Sequence, residues 1–105
     1  MILALLVFLS GPIDLIVRET VSIAPSTVTA RVRIVPDESN REACVTLYLE
    51  GLIWDQRCWT LNGANENGTF PIQWKRLGPG EYLAVLSVQT TTGILDKTQG
   101  FYVHD

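Results

Sequence analysis

Apolar and polar residues alternate with a period of two along most of this chain. The alternation is cleanest from Thr27 to Val35, where Val28, Ala30, Val32 and Ile34 fall on one side and Thr29, Arg31 and Arg33 on the other. A strand with one face on a core and one in water reads this way, because successive side chains point to opposite faces. Ile13 to Ile23 alternates too, with Ile13, Leu15, Val17, Val21 and Ile23 on the predicted buried face and Glu19 out of phase. Pro25-Ser26 separates these two strands, and the polar stretch Pro36 to Glu42 ends the second in a turn.

The next strand runs from Ala43 to Glu50, with Val45, Leu47 and Leu49 on one face and Cys44, Thr46, Tyr48 and Glu50 on the other. Gly51 interrupts it before Leu52 to Leu61 resumes. A three-residue loop, Glu50-Gly51-Leu52, with Gly51 left-handed, pairs Leu49 with Ile53, Tyr48 with Trp54 and Cys44 with Cys58. The same register puts Asp55 and Arg57 on the face of Leu47 and Val45, where a core rejects charge. Either this strand is an edge that twists off the sheet, or a bulge resets its parity.

Asn62 to Gly68 is a loop by composition, and Thr69 to Lys75 is a strand whose Pro71 asks for an edge or a bulge. Gly78-Pro79-Gly80 then reverses the chain into an alternating strand, with Tyr82, Ala84, Leu86 and Val88 on one face and Leu83, Val85, Ser87 and Gln89 on the other. Thr90-Thr91-Thr92-Gly93 follows, and the final strand is clearest at Phe101-Tyr102-Val103. No segment has a helical period. About seven short strands at this spacing predict an all-β, antiparallel Greek-key β-sandwich.

Leu77-Gly78-Pro79-Gly80-Glu81-Tyr82 resembles the tyrosine corner of fibronectin type III-like and related bacterial immunoglobulin-like domains, and the likeness in pattern extends over about residues 28–103. It implies a structural corner built on Leu77, Pro79, Gly80 and Tyr82, with the Tyr82 hydroxyl turned back onto upstream backbone. It also implies an immunoglobulin-like module used for spacing, adhesion or recognition, without catalysis. Ala84 stands where an antibody-type domain carries its second core cysteine, so an intersheet disulfide is not implied, and no Trp occurs in Val28 to Val35.

A length of 105 residues suits one domain with a single core. Residues 1–12 form a hydrophobic N-terminal segment, and residues 13–105 form the sandwich. The run Met1 to Leu9 falls short of the ~20 residues a spanning helix needs, so no stable membrane span is expected. It matches the apolar region of a secretory signal, but lacks a basic start and a nearby small-x-small cleavage site; the alternative is a first strand or a hydrophobic arm. Export to the periplasm, the cell surface or the medium is the expectation. Lys and Arg number 8 against 11 Asp and Glu, a net charge of -3, which leaves no field to gather phosphates and argues against nucleic acid.

Cys44 and Cys58 are the only cysteines, and the hairpin register makes them cross-strand neighbours within reach of a disulfide. Such a bridge fits an oxidising compartment; the alternative is two unrelated thiols. Two cysteines and one distant histidine cannot fill a structural zinc shell, so no metal and no cofactor is expected. Tyr48 and Trp54 share a face with Thr46, Glu50 and Gln56 and are the candidate ligand face, whereas Trp74, in phase with Phe70 and Ile72, belongs to the core. His104, the single histidine, lies next to the C-terminus, and Asp37, Glu38, Glu66 and Asp96 are scattered over loops, so no catalytic arrangement is discernible. Asn67-Gly68-Thr69 matches a glycosylation sequon, but Asn-Gly is first a turn. The expected function is a non-catalytic exported module with a structural or protein-interaction role in the cell envelope. Its partner would be another protein or an envelope glycan. The alternatives are a carbohydrate- or peptide-binding module with an exposed aromatic face, and strand donation between chains.

Overall fold

The computed structural model describes residues 12–62 and 68–105. The apolar run at the N-terminus, Glu66 and the sequon asparagine Asn67 lie outside the described residues. Among the described residues eight strands follow one another: β1 (Ile13–Val17), β2 (Val21–Ile23), β3 (Ser26–Ile34), β4 (Asn40–Leu49), β5 (Leu52–Thr60), β6 (Thr69–Leu77), β7 (Gly80–Thr90) and β8 (Gly93–His104). They form a three-stranded sheet in the order β1-β3-β6 and a five-stranded sheet in the order β2-β8-β7-β4-β5. Every pairing is antiparallel except that of β2 with β8, which is parallel. The fold is an immunoglobulin-like β-sandwich.

The expected alternation builds the core. Val28, Ala30, Val32 and Ile34 of β3 face Val45 and Leu47 of β4 and Ala84, Leu86 and Val88 of β7, all of them buried. Pro71 is accommodated because β6 is the edge of its sheet. Trp74 is 1% exposed and lies in a column of rings: its centroid is 6.2 Å from Phe101, and Phe101 stacks on Tyr82 at 5.1 Å with an interplanar angle of 4°. The Tyr82 hydroxyl donates to the Gly78 carbonyl at 2.8 Å, closing the tyrosine corner. Leu77 is fully buried beneath it, and Gly80 adopts φ 151°, a conformation open to glycine.

Two expectations are corrected. The stretch 13–23 is not one strand: it crosses from one sheet to the other at Arg18-Glu19-Thr20, an all-exposed polar triplet with nothing to bury. Val21 and Ile23 therefore leave the core face and are 63% and 71% exposed. The β4–β5 loop has two residues, not three: Glu50 and Gly51 take φ 48° and 87°, the two positive angles of a tight hairpin turn. This pairs Leu49 with Leu52 and Tyr48 with Ile53, not with Ile53 and Trp54. A bulge at Trp54 then restores the register, so Cys44 still faces Cys58. The last strand, clearest in the sequence at Phe101–Val103, extends back to Gly93 and pairs with β7 along its length.

Asp55 and Arg57 do lie opposite Leu47 and Val45, on the inner side of β5. The bulge does not move them off that face. They are tolerated because β5 is an edge strand, where charged groups reach past the core to the facing sheet. Asp55 accepts from the Trp74 indole Nε1 at 3.1 Å and pairs with Arg57 at 2.9 Å, and Arg57 Nη2 donates to the Gln73 carbonyl at 3.0 Å.

Candidate functional site

The outer face of the five-stranded sheet is the surface on which chemistry can be presented. Strand register places Ile53, Tyr48, Leu83 and Gly100 side by side across β5, β4, β7 and β8. The next row on the same face is Glu81, Tyr102 and Val21, on β7, β8 and β2. Two neighbouring rows thus carry an apolar band across all five strands, with Ile53, Leu83, Tyr102 and Val21 between 42% and 63% exposed. Contiguous exposed apolar residues, unlike scattered ones, mark a surface that meets something.

Within this band lies a cleft of about 620 Å³. Tyr48 and Tyr102 contribute aromatic rings to its lining, Leu83 and Gly100 lie between them, and Glu50 and Glu81 supply carboxylates. Tyr48 and Tyr102 sit on β4 and β8, with β7 between and one row apart, so their backbones are about 12 Å apart, wide enough for one slender chain. Gly100 widens the space by lacking a side chain: a Cβ there meets nothing closer than the Tyr82 carbonyl oxygen at 3.6 Å. Glu50 and Glu81 are held together by the bond from the Glu50 amide to the Glu81 carbonyl at 3.0 Å. Burial, and after it the negative charge of Glu50, raises the Tyr82 hydroxyl above its ordinary pKa of 10.0. That hydroxyl stays protonated and keeps its bond to Gly78.

The expected ligand face, Tyr48 with Trp54, is only half present in this cleft. Tyr48 lines it; Trp54, the bulged residue of β5, is 43% exposed and does not. Cys44 and Cys58 are joined in a disulfide across β4 and β5, with Cα atoms 4.1 Å apart. His104 is exposed at the end of β8, its ring edge-on to Tyr102 at 4.5 Å. Asp37 accepts the Ser39 amide at 2.8 Å, which holds its carboxyl below the usual carboxylate value. Among the described residues no group of three or more His, Cys, Asp and Glu could hold a metal ion, and no helix is long and apolar enough to cross a membrane.

Glu81, Leu83, Gly100 and Tyr102 were not singled out by sequence reasoning. Leu83 and Val85, apolar residues on the face opposite Tyr82, were the available signal: a strand exposed on that face should be polar there. The glycine directly before the clear Phe101–Val103 part of the last strand was the second.

No protein-family description matches this chain, and no curated protein matches it in sequence. Solved structures do resemble it. The superoxide reductase (neelaredoxin) of Ignicoccus hospitalis superposes with a TM-score of 0.62 at 16% identity, over 90% of this chain and 81% of that one. The sulfur carrier protein SoxY of Chlorobium limicola f thiosulfatophilum does so at 0.67 and 9% identity, over 90% and 81%. A CARDB domain from Pyrococcus furiosus, solved with di-metal ions, does so at 0.54 and 14% identity, over 88% and 92%. At these identities the likeness is one of fold, and folds of this kind carry unrelated functions. What the chain shares with all three is a small all-β sandwich architecture.

Proposed function

We propose that this chain is a non-catalytic, exported recognition module that binds a segment of another protein on the outer face of its five-stranded sheet. The observation that carries this reading is the cleft between Tyr48 and Tyr102, set in an apolar band that crosses all five strands. Clefts that hold ligands are lined mainly by apolar and aromatic groups with a few polar ones for orientation, and this lining has that composition. Export is supported by the Cys44–Cys58 disulfide, a bond that persists in oxidising compartments.

The test is titration of the 15N-labelled chain with linear peptides and with oligosaccharides, followed by amide chemical shifts. Peptides are expected to shift Leu83, Gly100 and Tyr102 saturably, and oligosaccharides to leave them unmoved. Shifts confined to other surfaces, or to the oligosaccharide series, would sink the reading.

A further inference from the structure

Among the described residues the two charged ones that line the cleft are both carboxylates, Glu50 and Glu81, and no Lys, Arg or His lines it. Both belong to exposed positions at one end of the sheet, Glu50 in the β4–β5 turn and Glu81 near the start of β7. Their backbones are bonded to each other, so the two side chains leave from adjacent points and cannot be separated by strand slippage. Apart from the Thr20 hydroxyl, the rest of the lining is aromatic, aliphatic or glycine: Tyr48 and Tyr102 supply rings, and Leu83 and Gly100 offer an uncharged floor. The whole chain carries a net charge of -3, so the field around the site has the same sign as the site itself.

We propose that the cleft takes a basic side chain, a guanidinium or ammonium on an aliphatic stem, presented by an extended segment of the partner protein. This rests on the recognition reading above and adds the chemistry of the group recognised. The stem packs on Leu83 and over Gly100, where no side chain intervenes. The cationic head reaches Glu50 and Glu81 at the end of the sheet. Tyr48 and Tyr102 flank the passage and attract the cation through their ring faces. An anionic ligand would meet two carboxylates with no compensating cation, and a neutral sugar would leave both without a partner of opposite charge. Charge complementarity therefore selects the basic side chain among the groups that fit.

The probes are two acetylated, amidated pentapeptides, Ala-Ala-Arg-Ala-Ala and its twin with citrulline, which keeps the shape of arginine and lacks its charge. Each is titrated into the 15N-labelled chain at low and at high salt. The arginine peptide is expected to shift Leu83, Gly100 and Tyr102 and to bind about five- to tenfold more tightly than the citrulline peptide, an advantage that shrinks at high salt. Glu81→Gln, a substitution at an exposed position that leaves the fold intact, is expected to remove most of that advantage. Equal binding of the two peptides at these residues overturns the cation and leaves the recognition cleft standing. An oligosaccharide that shifts the same residues while the arginine peptide does not overturns both. Shifts by neither peptide also overturn both, since the cleft would then accept no side chain of this shape.

Discussion

The indole of Trp74 donates from Nε1 to the Asp55 carboxylate at 3.1 Å, and the bond joins opposite sheets. Trp74 belongs to β6 of the three-stranded sheet, and Asp55 to the edge strand β5 of the five-stranded one. Asp55 also takes Arg57, whose other arm reaches the backbone of Gln73 beside Trp74. The charges that the alternation places on the inner side of β5 are thus a clasp across the open side of the sandwich. Asp55→Ala strands a buried indole N–H and is expected to cost about 1–3 kcal/mol in urea denaturation. In a Trp74→Phe background the same substitution should cost clearly less; an equal penalty in both would show that the clasp is not its source.

Closing the Cys44–Cys58 link ties two residues 14 apart in sequence. In the chain-entropy account a loop of that size is worth about 3 kcal/mol, largely by restricting the unfolded chain. Replacing both cysteines by alanine should lower stability by that amount while preserving the hairpin register, since the bulge at Trp54 and the Glu50-Gly51 turn are set independently. Titration of denatured, unreduced protein with a thiol reagent should find no free thiol.

Tyr82→Phe keeps the ring stack on Phe101 and deletes the bond to the Gly78 carbonyl. The expected loss is about 1 kcal/mol. The same residue makes stability depend on alkaline pH. Its folded pKa is raised, so between 10.0 and the folded value the native state binds the proton more tightly than the unfolded one. The stabilisation is therefore complete below pH 10.0 and falls as pH rises through the folded value. Denaturation series in the wild type and in Tyr82→Phe should diverge at neutral pH and converge in this alkaline window.

The residues that announced themselves in the sequence were those governed by local rules. Alternation from Thr27 to Val35 translated directly into β3 and its buried face, and the Pro-Gly reversal before Tyr82 into the corner. Where the outcome depended on the partner strand, local pattern misled. Val21 and Ile23 have the parity of a core face, yet crossing to the other sheet at Arg18-Glu19-Thr20 turns them outward. Trp54 has the parity of Tyr48 in a regular hairpin, yet a two-residue turn and a bulge separate it from the cleft. The cleft gathers Tyr48, Leu83 and Tyr102 from three strands of distant sequence, and only the pairing of β4, β7 and β8 brings them together.

Two glycines with opposite roles allow stability and recognition to be separated. Gly80 sits at φ 151°, and a Cβ there would approach Leu49 Cδ1 to 2.6 Å, so Gly80→Ala is expected to destabilise the corner. Gly100 has no such constraint: the nearest atom to an added Cβ is the Tyr82 carbonyl oxygen at 3.6 Å, an ordinary contact. A β-branched residue suits the strand better than glycine by about 0.5–1 kcal/mol, so Gly100→Val should melt at the same temperature as the wild type or higher. Its side chain would nevertheless fill the floor between Leu83 and Tyr102, where the stem of a bound residue is expected to lie. The two readouts should therefore move in opposite directions, with thermal stability preserved or raised and the arginine-peptide shifts at Leu83 and Tyr102 abolished. Undiminished peptide binding by a fully folded Gly100→Val chain would place the contact elsewhere on the sandwich. A loss of stability together with binding would instead mean that β8 needs its glycine for the backbone.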